Sequence, residues 1–440
     1  MKKALLLILT VILAQAATAQ DPDGAKFDKI DSLMNYFYNN GKFMGSITIR
    51  EKEQVVFQGN YGFADVQAKI PATQDTKYKI GQATEIFTAA IIFQLVEEKK
   101  LKLTTKLSEF FPKVPNAEMI TISQMLDHTS GIFDYTQATD FASYQYELQN
   151  RKAMADRLQE GTPAFAPGER AAYSAGNYLL LGYIIQDITK KTYKENVAAR
   201  VVNRAQLKST YGFGKISPKK KEAYSYMYQN GKWDLAPEWH ESVAGGAFGL
   251  QSTPTDMTRF MRALFTGKII RPESLKLMTA SDTGNGMGVF FYPFAERRYI
   301  GHTGTIEGFT SVTCYYPKED LSFSILSNAK NISTEDLIMG ILSCYYKLPY
   351  RFPTFIEFTI NEALLKSYEG NYATPALPFT INVKAVNGKL RVHADEQGTF
   401  YVSPISNTSF THDAAGIIMD FTPTGFTLKQ NGESTVFSKQ

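Results

Sequence analysis

Two tetrapeptides in this chain place a serine three residues before a lysine: Ser217-Pro218-Lys219-Lys220 and Ser327-Asn328-Ala329-Lys330. At the start of a helix that spacing sets an amine one turn above a hydroxyl, where it can take the hydroxyl proton for attack on a carbonyl. Neither string opens an apolar helical run, and the first lies in a charged loop, so neither is expected to act. There is no Gly-x-Ser-x-Gly elbow. The five histidines are scattered with no pair at metal-ligand spacing, so neither a metal nor another cofactor is expected. Cys314 and Cys344 both sit in apolar runs. Buried free thiols are the expected state, and a single bridge is the alternative.

The elements that must position a site follow an amino-terminal segment with its own signature. Lys2-Lys3, the apolar residues 4–14 and the small residues Ala17-Thr18-Ala19 form the pattern of a secretory signal peptide, residues 1–19. The apolar stretch is shorter than the ~20 residues a membrane span needs, and no later stretch is long enough. The chain from Gln20 onward is therefore expected to be exported, periplasmic or secreted, without an integral membrane segment. Net charge is +4, with Lys219-Lys220-Lys221 the only basic block, which argues against nucleic acid as a partner.

Periodicity predicts a helix over residues 28–38, with Ile30, Leu33, Met34 and Phe37 on one face, then strands at 46–50 and 55–59 joined by a polar turn. A second helix is predicted over 84–98. Helices alternate with loops from about 100 to 240, strand patterns return at 299–300, 311–316 and 321–326, and a last helix covers 334–346. Strands near both ends and a helical middle predict an α/β fold: a mainly antiparallel sheet flanked by helices, with a helical subdomain, over residues 20–347. Pro349 and Pro353 mark a linker at 348–358. Short alternating runs at 379–383, 389–392 and 426–429, with turns at Asn387-Gly388 and Asn431-Gly432, predict a small antiparallel β domain over 359–440.

Motifs in the larger region follow one another in a telling order. They are Gly59-Asn60-Tyr61-Gly62-Phe63-Ala64-Asp65, Tyr78-Lys79-Ile80-Gly81 before Phe87-Thr88-Ala89-Ala90, and Leu126-Asp127-His128-Thr129-Ser130-Gly131-Ile132. Phe165-Ala166-Pro167-Gly168 and Tyr173-Ser174-Ala175-Gly176-Asn177-Tyr178 follow, then Gly245-Gly246 with Ser252 to Met257, and finally Gly301-His302-Thr303-Gly304. In this order, from about residue 44 to 346, they resemble the serine β-lactamases of class C type and the related penicillin-binding proteins, peptidases and esterases. The C-terminal region also resembles the small β domain appended to many such proteins.

The resemblance implies a serine at the start of the second helix, a lysine three residues on, and a tyrosine from the second motif. It also implies backbone N–H groups, at the helix start and on the third-motif strand, that hold the oxyanion. In the matching register stands Gln82-Ala83-Thr84-Glu85. An amide replaces the nucleophile and a carboxylate replaces the base. Tyr173 is kept, Ala175 stands where the second motif has Asn, and His302-Thr303-Gly304 is a variant of Lys-Thr-Gly. The bland reading of Glu85 is an acid in the first turn of a helix, favoured by the helix dipole. Thr84 lies about 200° around the axis from Gln82 and is expected to face away.

The implied protein is an exported, non-catalytic relative whose degenerate pocket, at Gln82, Glu85, Tyr173, His302, Thr303 and Gly304, binds a small acyl, peptide or cell-wall-derived ligand or a protein partner. The alternative is a hydrolase of β-lactamase, DD-peptidase or esterase type, with Glu85, Tyr173 and His302 remodelled for catalysis.

Overall fold

The computed structural model describes residues 24–440 apart from 230, 281–284, 356–357, 395–397, 413–415 and 431–432. The signal-peptide pattern of residues 1–19 and the Asn431-Gly432 turn lie outside the described residues. In chain order the main elements of the larger region begin with helix α1 (Gly24–Asn39) and strands β1 (Phe43–Glu51) and β2 (Gln54–Tyr61). Helices α2 (Thr84–Glu97), α3 (Ala175–Thr189) and α4 (Pro254–Phe265) come next. Strands β3 (Phe290–Phe294), β4 (Arg297–Ile306), β5 (Phe309–Tyr316) and β6 (Leu321–Lys330) and helix α5 (Thr334–Tyr345) complete it.

The six strands form one antiparallel sheet in the order β3-β4-β5-β6-β1-β2. Its first and last segments meet where β1 pairs with β6, with Ile47 opposite Ile325. Strands β1, β5 and β6 are buried along almost their whole length, as expected of strands covered on both faces. One cover is α1 with α5. Ile30, Leu33 and Phe37 of α1 and Leu337 and Ile341 of α5 share a core with Ile47, Val312 and Phe323. The i, i+3, i+4, i+7 spacing in α1 makes that contact a single stripe.

The other cover is the helical cluster. Helix α2 lies within it, and every residue from Thr84 to Leu95 is buried, including Glu85. Its Phe87 ring stacks on Phe260 of α4 with centroids 3.8 Å apart. Cys314 and Cys344 are buried and free, so the bridge alternative does not apply. Among the described residues, no helix is long and apolar enough to cross a membrane.

The strand predicted at 299–300 runs on to Ile306, through His302 and Gly304, because pairing with β5 holds residues that strand propensity alone would not. The small antiparallel β domain closes into an eight-stranded barrel, whose first and last strands pair at Tyr372 and Lys439. Closure removes the open edges a short sheet would leave. Tyr372, Val383, Leu390, Val402, Phe410 and Phe426 fill its own core.

The α2–α4 contact should be a principal source of stability in the larger domain. Phe87→Ala is expected to cost about 3–5 kcal/mol by emptying a packed aromatic site. Urea unfolding of the variant checks this, and a loss below 1 kcal/mol would show that the helices repack without the ring.

Candidate functional site

The chain enters α2 through a tight 3-10 turn, Gly81–Ala83, which sits directly against β4. Two glycines permit the contact. Gly81 has φ +54°, and a Cβ there would lie 2.8 Å from the Thr305 nitrogen. A Cβ on Gly304 would lie 2.3 Å from the Ile80 carbonyl oxygen and 2.7 Å from the Gln82 nitrogen. Ser311 Oγ on β5 secures the junction by donating to the Ile80 carbonyl at 2.7 Å. At this distance the half-buried Gln82 side chain reaches the strand, and its Oε1 accepts the Thr305 backbone N–H at 2.6 Å.

Glu85 points the other way, into the protein, with no exposed side-chain surface. Tyr173 Oη donates to its Oε1 at 2.9 Å. His128 Nε2 lies 3.3 Å from Oε2. On the other side of the His128 ring, Nδ1 accepts from the Ser174 backbone N–H and the Asn177 amide, both at 3.3 Å. With Nδ1 accepting, Nε2 carries the proton and donates to Glu85.

His302 Nδ1 faces the Thr303 carbonyl and donates to it. Its buried Nε2 lies 3.5 Å from Glu85 Oε2, without hydrogen-bond geometry to any described residue. Burial disfavours the Glu85 charge, but the imidazoles of His128 and His302 outweigh it and hold the carboxyl below the usual glutamate range. Burial and the Glu85 charge push the Tyr173 phenol well above its ordinary value, so it stays a donor.

The structure thus brings Glu85, Tyr173 and His302 together and ties Gln82 to the same strand at Thr305, three residues beyond His302. Ala175 is buried in the first turn of α3, capped by Ser174 Oγ, which accepts from the Gly176 N–H. Thr84 is buried, and its hydroxyl accepts from the Leu250 N–H, away from Gln82. The first-turn reading of Glu85 holds as to place, but its recorded partners are side chains from other segments.

Sequence reasoning missed two parts of this site. His128 stands in the motif Leu126 to Ile132, but no spacing rule joins it to Glu85, 43 residues before it. Glu307 belongs to none of the sequence motifs. Its buried carboxylate takes the ammonium of buried Lys79 at 2.6 Å and the Trp239 N–H at 2.6 Å. Lys79, the lysine nearest Gln82 in the chain, is therefore committed elsewhere. Among the described residues no group of His, Cys, Asp and Glu is arranged to hold a metal.

Comparison with known proteins gives a consistent result. A family profile described as Beta-lactamase matches residues 41–339. Protein flp of Staphylococcus aureus (strain MW2) is 27% identical over 321 residues, covering 68% of this chain and 62% of that protein. Teichoic acid D-alanine hydrolase of Staphylococcus aureus (strain MRSA252) is 26% identical over 262 residues, covering 59% of this chain and 62% of that protein. The chain therefore spans less than two thirds of the length of these curated relatives.

Among solved structures, the octameric penicillin-binding protein homologue from Pyrococcus abyssi has a TM-score of 0.68 at 22% identity, covering 94% of this chain and 98% of that one. D-amino acid amidase from Ochrobactrum anthropi SV3 has a TM-score of 0.65 at 24% identity, covering 73% of this chain and 99% of that one. At these identities the two structures show a shared fold.

Two outcomes test the Glu85 cluster. Glu85→Lys should destabilise the protein by about 3–5 kcal/mol, because it removes a buried charge from its partners and sets a cation between two imidazoles. A variant as stable as wild type in urea unfolding would contradict this. The second outcome concerns pH. Glu85 is lowered by folding, so its contribution is complete above the unfolded value of about 4.3 and is lost as pH falls through the lower folded value. The stability advantage of wild type over Glu85→Gln should therefore shrink in that acid window, and an advantage independent of pH would show that the cluster does not hold a charged carboxylate.

Proposed function

Because the chain belongs to the β-lactamase family, we propose that it is a member whose acyl-transfer site has become a non-catalytic binding site. In this reading Gln82 stands in place of the family's serine and Glu85 in place of its lysine. The observation that carries it is the 2.6 Å hydrogen bond from the Thr305 N–H to Gln82 Oε1.

In an O-acylserine, the order outward from Cβ is oxygen, then a carbonyl carbon with its substituent. In glutamine it is Cγ, then Cδ with Oε1 and Nε2 (the same number of bonds to the carbonyl). Gln82 therefore places a carbonyl oxygen on the strand N–H that would hold the oxyanion in a working enzyme. It resembles an acyl-enzyme that cannot turn over, since the link to the backbone is carbon rather than an ester oxygen. Its amide is no nucleophile.

The remodelled-hydrolase alternative needs Glu85 to act on water or substrate. Its carboxylate has no exposed surface, and its oxygens are turned to His128, Tyr173 and His302. Glu85 and His302 thus serve as supports. Gln82, Thr303 and the 38% exposed Tyr173 are the groups that offer surface to a ligand, and buried Gly304 keeps the junction closed. Similarity to a teichoic acid D-alanine hydrolase supports a small acyl, peptide or cell-wall-derived ligand, with a protein partner as the other occupant of such a surface. The signal-peptide pattern supports export to the periplasm or beyond.

Incubation with a fluorescent penicillin or a fluorophosphonate should leave the wild type unlabelled, and a covalent adduct at any residue would overturn the reading. Gln82→Ser alone should also remain unlabelled. The new hydroxyl would have Glu85 rather than an amine at the base position, and a carboxylate there opposes an anionic intermediate. Acylation of that single variant would mean that His302 or Tyr173 can act as the base.

A further inference from the structure

Gly45 of β1 is level with the site, since Thr305 pairs with Thr310, Thr310 with Ser327, and Ser327 with Gly45. Arg50 lies five residues further along the same strand, about 17 Å away at strand spacing. There the structure has a cavity of about 400 Å³ lined by Arg50, Arg204, Arg259, Arg262, Lys268 and Glu53. Five cationic side chains thus face one carboxylate. Arg262 is matched by Asp320, with Nε 3.0 Å from both carboxylate oxygens, and also by Glu53. Lys268 reaches Glu53 at 4.0 Å. Among the described residues, Arg50, Arg204 and Arg259 have no carboxylate at ion-pair distance.

Arg50 is the decisive member. It is only 4% exposed, and among the described residues no carboxylate lies at ion-pair distance from it, Glu53 and Asp256 acting on it only from further away. Nε donates to Thr258 Oγ1 at 3.4 Å and Nη1 to the Glu53 carbonyl at 2.7 Å, which leaves Nη2 without a partner among the described residues. Carbonyls fix the other two guanidiniums: Arg259 Nη1 donates to Gln206 at 2.8 Å and Arg204 Nη1 to Ile269 at 3.4 Å. Burial and the neighbouring Arg259 charge lower the Arg50 pKa, Glu53 opposes them, and Arg262 and Asp256 act in opposite directions. A largely buried guanidinium with more cations than carboxylates around it favours an anion that can meet its free N–H groups. Planar guanidiniums present paired N–H groups that match phosphate oxygens.

We propose that this cavity is a binding site for a compact anion carrying two or more adjacent phosphate groups, either free diphosphate or successive phosphates of a polymer. A single orthophosphate would leave much of the cavity's positive charge unmatched. The site lies at the far end of the sheet from Gln82 and does not depend on what occurs there.

Titration calorimetry on the full chain, with inorganic pyrophosphate and with a short glycerol-phosphate oligomer, tests the proposal at low salt and at physiological ionic strength. Saturable binding of at least one probe is expected, tighter than that of orthophosphate and weakened by salt. The better probe identifies the source. Arg204→Gln and Arg259→Gln should each weaken binding by about tenfold or more, with thermal stability of the free protein unchanged or raised as repulsion is relieved. Lys219→Gln, an exposed lysine outside the cavity, should bind as wild type does. No saturable binding of either probe at low salt would overturn the proposal, as would affinities equal in wild type and both arginine variants.

Discussion

The fully buried carboxylate of Glu85 sets the terms for everything around it. A charge in that position is stable only if polar groups surround it, and they come from three separate parts of the chain. Tyr173 precedes α3, His128 follows the short helix Ile122–Leu126, and His302 lies on β4. The two imidazoles are fixed by further contacts: His128 by Ser174 and Asn177, and His302 by the Thr303 carbonyl. The cluster therefore ties the helical region to the sheet, and loosening any of these segments would expose an unmet charge.

The same junction explains the position of Gln82. Gly81 and Gly304 let the turn before α2 approach β4 closely enough for a side-chain amide to take a strand N–H. In the proposed reading, that donor is the one that would serve a developing oxyanion in a catalytic member of the family. Here a neutral, unreactive carbonyl of this chain already occupies it. Lys79, three residues before Gln82, has its amine in the ion pair with Glu307.

The two ends of the central sheet are electrostatically different. At one end Glu85 and Glu307 are matched internally. At the other, Arg50, Arg204 and Arg259 converge with no carboxylate partner among the described residues. A formal net charge of +4 conceals this contrast, since the cavity's charge is assembled from separate segments rather than from a basic run. The uneven matching is what gives a near-neutral chain a local preference for anions.

By itself the sequence determined the order of the elements, the burial stripe of α1 and the family resemblance. It also determined that an amide and a carboxylate stand at Gln82 and Glu85. These are properties of residue type and short-range period, which neighbouring residues carry in full. Tertiary structure decided what those groups do. Glu85 could be placed in the first turn of a helix, but its partners His128 and Tyr173 lie 43 and 88 residues away, and no spacing rule joins them. Gln82 could be recognised as no nucleophile, but its bond to Thr305 spans 223 residues. Barrel closure and the arginine cavity were likewise hidden, because each depends on segments distant in sequence becoming neighbours. The charge state and partners of a buried group follow from which other groups surround it, and only packing of the whole chain sets that.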